Sequence, residues 1–293
     1  MELYTPVHDT PWNHPLHCDE TITVLGSCFA AELGQRLETL QLPVCNNPFG
    51  VLYNPASIAS SLHYLLPSDW VFSERDLVER DGGWTSFSHH GSFTEATPEA
   101  FLKRANTALA DARAQFAVSS RVILSLGTAW CYRHRETDSI VSNCHKIPAR
   151  AFQRECLTVE VSTSLLADAI RACETAAQAG QIAPKEWILT VSPIRHRKDG
   201  LHENQLSKAT LLLTTRALEQ EFPQVRYFPA YEILLDELRD YRFYAEDLVH
   251  PSSVAVQYIW ERFVQTAYAP SEHEALKQRE KAARQGQHRP IRK

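Results

Sequence analysis

No stretch of this chain is apolar for anything near the roughly 18 residues that a membrane-crossing helix needs, so the sequence offers no transmembrane segment. The first residues, Met1 to Glu20, contain His, Asp and Pro but no basic segment leading into an apolar run. They do not read as a secretory signal, and the chain is expected in the cytoplasm. Its seven cysteines are odd in number and scattered, with no Cys-x-x-Cys pair, which argues against a disulfide framework, a zinc ribbon or a redox motif. No two histidines stand at the i, i+4 spacing of a zinc-binding helix, and there is no glycine-rich phosphate loop, internal repeat or dividing linker. No metal and no cofactor are therefore expected.

What is present suits a large buried core: 44% of the 293 residues are hydrophobic, including six Trp, ten Tyr and twelve Phe. The net charge of −5 is uneven. Seven Lys or Arg against three Asp or Glu between Ser271 and Lys293 make that end +4 and leave −9 on the remainder. A short basic end is expected to be a solvated, disordered tail, and a mildly acidic body does not look like a nucleic-acid binder. Neither nucleic acid nor membrane is expected as a partner.

Ile22-Thr23-Val24-Leu25 suits a buried parallel strand, and Phe29, Leu33, Leu37 and Leu40 beyond it recur as one face of a helix. Ser27 is thus placed on a strand-to-helix turn, where free N–H groups and the helix dipole can stabilise an oxyanion. A serine there equally serves as a helix cap, although Ala30 rules out a capping box. A nucleophilic serine needs a base. Asp247-Leu248-Val249-His250, just ahead of the last amphipathic helix, supplies a histidine with an aspartate three residues earlier that can fold back and orient its imidazole.

Strand and helix alternate five times. The strands are read at Ile22–Leu25, Leu42–Cys45, Arg121–Leu126, Trp187–Val191 and Val225–Phe228, which predicts an α/β fold with a parallel sheet wound on both faces. Every candidate residue then falls at a carboxyl strand end, where such sheets bind ligands: Ser27, Gly50, Gly127, Arg195 with His196, and Asp247 with His250. Two long connections, about 67–97 and 131–157, read as insertions there. The first is expected to be a hairpin of Trp70-Val71-Phe72 and Trp84-Thr85-Ser86-Phe87 around Asp81-Gly82-Gly83. The predicted organisation is an N-terminal extension over 1–20, one domain over 21–269 and the basic tail over 270–293.

The string Gly26-Ser27-Cys28-Phe29-Ala30 is the name-giving motif of the GSCFA family, which the chain resembles from about Thr21 to Tyr268. The resemblance extends to Asn47-Pro48-Phe49-Gly50-Val51-Leu52-Tyr53-Asn54-Pro55, His89-His90-Gly91-Ser92-Phe93, Gly127-Thr128-Ala129-Trp130, Asn143-Cys144-His145-Lys146, Ser192-Pro193-Ile194-Arg195-His196 and the run from His202 to Leu206. That family is similar to the SGNH (GDSL-like) hydrolases. The likeness implies a flavodoxin-like five-stranded sheet and a Ser27, His250, Asp247 triad in a serine esterase or acyltransferase. It further implies that Gly50 gives a backbone N–H to the oxyanion, with Asn47 a side-chain donor. Where SGNH enzymes present Gly-x-Asn this chain has Gly127-Thr128-Ala129, so the expected asparagine donor is absent, and Asn47, Thr128 or Asn143 is expected to replace it.

The substrate expected is an acyl or acetyl ester of a carbohydrate or small polar metabolite. His90, Trp130, His145, Lys146, Arg195 and His196 are expected at the site's mouth, with Arg195 and Lys146 matching an anionic acceptor. Two other classes stay open: a binding module that kept the fold and lost the chemistry, and a metal-dependent hydrolase in which His89, His90, His134, His145, His196 and Asp247 cluster.

Overall fold

The computed structural model describes residues 4–287. Strand β1 (Ile22–Gly26) leads into helix α1 (Cys28–Thr39), β2 (Val44–Asn46) and α2 (Pro55–Leu65). A short hairpin, β3 (Val78–Arg80) and β4 (Gly83–Thr85), precedes α3 (Pro98–Val118) and β5 (Arg121–Leu126). Next come β6 (Trp130–His134), β7 (Ser139–Val141), β8 (Phe152–Cys156), α4 (Val159–Gln178) and β9 (Glu186–Val191). The chain ends with α5 (Leu201–Glu221), β10 (Val225–Tyr227), α6 (Ala230–Glu232) running into a π-helical turn, α7 (Ser253–Ala267) and α8 (His273–Gln287).

The central sheet has five strands in the order β10-β9-β5-β1-β2, every pair parallel, as the alternation predicted. Its register explains why helices must cover both faces. Val24, Ile123 and Ile188 lie side by side in the ladder, and so do Leu25, Leu124 and Leu189 one residue on. Since successive side chains point to opposite faces, the first row packs with Phe29, Leu33 and Leu37 of α1 and Ile259, Trp260 and Phe263 of α7. The second row packs with α2, α3, α4 and α5 through Ile58, Leu109, Ile170 and Leu211. The chain reverses its direction of strand addition between β1 and β5, so the switch-point crevice opens beyond Gly26 and Leu126.

Two expectations need correction. Trp70-Val71-Phe72 is not a strand: Trp70 stacks on Tyr64 of α2 at 4.7 Å and the Phe72 N–H is taken by Asn106 of α3, so the segment lies on helices. The hairpin strand is Val78–Arg80 instead. The second insertion, over 131–157, is built on a three-stranded antiparallel sheet, β7-β6-β8. In the tail expected to be disordered, residues 273–287 form α8, because Leu276 is buried and the Trp260 Nε1–H donates to Glu280 at 2.5 Å. The Arg279 guanidinium also donates to the Leu40 and Gln41 carbonyls at the end of α1. Residues 288–293 of the tail lie outside the described residues.

His89 is fully buried among Phe49, Phe72, Phe93 and Phe101, with Ser86 Oγ 2.7 Å from its Nδ1. Burial pushes its pKa down to about 3, so the folded ring stays neutral where the unfolded ring takes up a proton. The unfolded state therefore binds more protons as pH falls from about 6.5 towards 3, and stability is lost over that window. His89→Phe, which keeps an aromatic ring in the cage, is expected to flatten the acid limb of stability against pH. Urea midpoints measured across the window check this, and a slope equal to that of the wild type would refute it.

Candidate active site

The turn after β1 depends on a missing side chain. Gly26 has φ +135°, and a Cβ there would stand 2.2 Å from the Ser125 carbonyl oxygen, so only glycine lets β1 and β5 run together to their ends. Its N–H donates to Asn47 Oδ1 at 2.8 Å and its carbonyl accepts from Leu52 N at 2.8 Å. Ser27 follows in extended conformation as the N-cap of α1. Its Oγ accepts from Phe29 N at 3.2 Å and lies 2.9 Å from Ser125 Oγ, and the residue is 2% exposed. Capping is thus one role of Ser27 here, with Ser125 as a second hydroxyl beneath it. The Ser27 N–H donates to Ser125 O at 3.0 Å, whereas among the described residues the next N–H, that of Cys28, has no partner.

The Asp247–His250 pair is closed. Asp247 Oδ2 lies 2.6 Å from His250 Nδ1, and Oδ1 accepts the N–H groups of Val249 and His250 at 2.9 and 3.0 Å. These hydrogen bonds, the His250 ring's first, hold the Asp247 carboxyl down to about 2. An Nδ1 proton facing a carboxylate leaves the Nε2 lone pair of His250 outward, the tautomer that a general base requires. Among the described residues no hydrogen bond joins His250 to Ser27. The loop that carries His250 is fastened to the segment after β9, where the Arg195 N–H donates to Val249 O at 3.1 Å, and Pro251 beside the histidine lines a cavity with Ala31 and Glu32 of α1.

Behind the serine, the N–H groups of Gly127 and Thr128 both donate to the Tyr53 carbonyl, at 2.8 and 2.9 Å. The Gly127 carbonyl accepts from Lys208 Nζ at 2.6 Å, and the same ammonium reaches Ser192 O at 2.7 Å. Lys208 is 1% exposed, and burial pushes it down to about 7. His196 is pushed down to about 4, by burial first and Lys208 second, while the neighbouring Gly127 carbonyl opposes the shift. Its ring meets Tyr53 edge to face at 6.2 Å. Lys208 is missing from the expected site. Its signal was a lysine on the stripe Asn204, Lys208, Leu211, Thr215, Leu218 that α5 turns to the core.

Several expected roles move. The Gly50 N–H is spent on Asn47 O at 2.7 Å, so it is not an oxyanion donor. The glycine is required instead by φ +81° and by His90, whose Cβ would lie 2.2 Å from an added Cβ. Asn47 holds the Gly26 N–H, Thr128 Oγ1 pairs with Ser207 Oγ at 3.0 Å and accepts Trp130 N, and Asn143 Oδ1 accepts His145 N. All three build turns. His145, 1% exposed, bonds Ser86 O at 2.7 Å and fastens the second insertion to the hairpin, far from a substrate-facing role. Trp130 lies under the Arg154 guanidinium, which pairs with Asp199. His90 accepts from Ser92 N, and Lys146 is exposed at φ +58°. The histidines of the metal reading are dispersed, and among the described residues no three His, Cys, Asp or Glu are grouped to hold an ion.

Arg195 also has a different task. Its N–H donates to Val249 O at 3.1 Å, its Nη1 donates to Leu248 O at 3.2 Å, and Arg197 Nη1 donates to Asp247 O at 3.3 Å. Three donors thus hold three consecutive carbonyls of the histidine loop. Beside that loop a cavity of about 400 Å³ is lined by Arg195, Asn204, Gln205, Tyr231, Tyr241 and Tyr244. That volume is in the range of small-ligand sites, and its walls are aromatic with polar edges.

The GSCFA family model matches residues 21–263, and the chain belongs to that family. It is similar to a solved structure from Streptococcus pneumonia, provisionally described as a platelet activating factor, with a TM-score of 0.43 and 14% identity over 85% of each chain. No curated protein matches the chain.

If the chain hydrolyses esters, as its sequence leads one to expect, Arg195→Ala should lower kcat/KM by the same factor on neutral and anionic esters of one acyl group, because Arg195 bonds the loop. Kinetics on such a pair check this; a loss confined to the anionic ester would return Arg195 to the role of a substrate cation.

Proposed function

We propose that this protein is a serine-dependent ester hydrolase or acyltransferase of SGNH type, acting on an acyl or acetyl ester of a carbohydrate or other small polar metabolite. The observation that carries the reading is the closed Asp247–His250 pair, held by Arg195 and Arg197 at the same carboxyl edge of the sheet as Ser27. In this reading Ser27 Oγ attacks the ester carbonyl, His250 Nε2 takes the serine proton, and the carbonyl π electrons move onto oxygen. When the tetrahedral centre collapses, the C–O bond to the alcohol breaks and His250 returns the proton to the departing oxygen. Water, or an acceptor hydroxyl in a transferase, then repeats the sequence on the acyl-serine. Asp247 keeps the imidazole in its tautomer and stabilises the imidazolium. The unpaired Cys28 N–H, at the positive end of the α1 dipole, supports the oxyanion. The tyrosine-walled cavity beside the loop suits a polar, ring-shaped acceptor.

A binding module on the same fold is the second reading, favoured by one observation: Ser27 Oγ is buried against Ser125 rather than bonded to His250. Titration with a fluorophosphonate separates the two. The hydrolase reading expects one equivalent incorporated at Ser27, with Ser27→Ala unlabelled and its ester hydrolysis lower by roughly a thousandfold or more. His250→Ala should lose nearly as much and Asp247→Asn less, since Asp247 orients and does not transfer the proton. EDTA should leave the rate unchanged. No labelling together with no ester hydrolysis would leave the binding module, and full activity in Ser27→Ala would end the role of Ser27 as nucleophile.

A further inference from the structure

The donors around Ser27 can be accounted for one by one. The N–H groups of Gly26, Ser27, Gly50, Gly127 and Thr128 each have a protein acceptor, and so does the Asn143-flanking turn at His145. Ala129 has no side-chain donor where relatives of this fold class use asparagine. Besides the Cys28 N–H, one side-chain donor near the serine lacks a strong partner: the Tyr53 hydroxyl, which faces Cys28 Sγ at 3.6 Å, a thiol that is weak both as donor and as acceptor.

Tyr53 is brought there by its own backbone. Its carbonyl takes both N–H groups of the Gly127–Thr128 turn, and the preceding Leu52 N–H binds Gly26 O. A Cβ on Gly127 would stand 3.3 Å from Ser27 Cβ and 3.4 Å from Tyr53 Cα, so the tyrosine backbone and the serine side chain are neighbours across that glycine. The ring then runs to the residue after the serine, with His196 edge-on against it at 6.2 Å. No other phenol reaches the Ser27–Cys28 turn among the hydrogen bonds of the described residues.

We infer that Tyr53 is a catalytic residue: its hydroxyl donates to the developing oxyanion, taking the place of the absent asparagine and acting with the Cys28 N–H. This rests on the serine-hydrolase reading above. As the Ser27 Oγ–C bond forms and negative charge gathers on the former carbonyl oxygen, the O–H turns from the thiol to that oxygen and keeps its proton. Burial and the neighbouring Cys28 raise the Tyr53 pKa, so the phenol remains a donor throughout the working range. The exchange favours the transition state because an anionic oxygen is a far better acceptor than a thiol sulfur.

The test compares wild type, Tyr53→Phe and Ser27→Ala as full chains, with p-nitrophenyl acetate hydrolysis and the rate of fluorophosphonate incorporation as readouts. Tyr53→Phe removes only the hydroxyl. It is expected to lower kcat and the phosphonylation rate together by about a hundredfold while KM stays within about twofold, the pattern of a donor that acts only in the transition state. Rates within about threefold of wild type in a Tyr53→Phe protein that still labels at Ser27 would overturn the inference. So would a lowered melting midpoint with unchanged rates, which would make the hydroxyl a structural partner of Cys28. Absence of labelling in the wild type would instead remove the hydrolase reading, and this inference with it.

Discussion

A single atomic approach governs the site: the Ser125 carbonyl oxygen would lie 2.2 Å from any side chain placed on Gly26. Parallel strands normally splay where helices begin, but here the ladder continues for one more rung into Ser27 N–H. That contact brings the Ser27 and Ser125 hydroxyls together at the N-cap of α1. Any β-carbon at position 26 would push apart the two strands that border the switch point, and with them the Tyr53 and Gly127 turns, which are tied to the same strand ends.

The basic residues around this edge mostly serve the backbone. Carbonyls beyond the last paired residue of a strand are left without a donor, and a buried one is costly to leave unpaired. Lys208 meets two of them and Arg195 and Arg197 meet the loop carbonyls, so Arg195, expected at the substrate, is bonded to the frame here. Lys208 is the costliest, an ammonium with almost no solvent contact; its two carbonyl partners and the Tyr231 ring 5.7 Å away are what offset its desolvation. Its charge also helps keep His196 neutral.

The central sheet was legible because its strands are buried on both faces and so read as unbroken apolar runs, as in Val122-Ile123-Leu124. The antiparallel sheet over 130–156 was not, since Trp130, Arg133 and Glu155 are only partly covered and leave no such run. Ser27, Asp247 and His250 were legible as residue types at known spacing. What each neighbour does was less so, because a histidine looks alike in sequence whether it sits in a phenylalanine cage, as His89 does, or edge-on against a tyrosine ring, as His196 does. Tyr53 was not singled out as a site residue: its backbone is placed by the N–H groups of Gly127 and Thr128, more than seventy positions away, which donate to its carbonyl.

The last helices close the molecule onto its beginning. Trp12 and Leu16 donate to carbonyls of Thr266 and Ala267, Leu16 pairs with Tyr268, and α8 binds the end of α1 through Arg279. During synthesis, then, β1 and Ser27 leave the ribosome long before the strands and helices that complete their surroundings. The face of α1 that α7 and α8 will cover must wait for almost the whole chain to be translated. A ribosome-bound fragment that stops short of these helices carries Ser27 without Asp247 and His250 beside it, and a stalled or truncated product of that length has an exposed apolar helix face to be caught by chaperones and proteases.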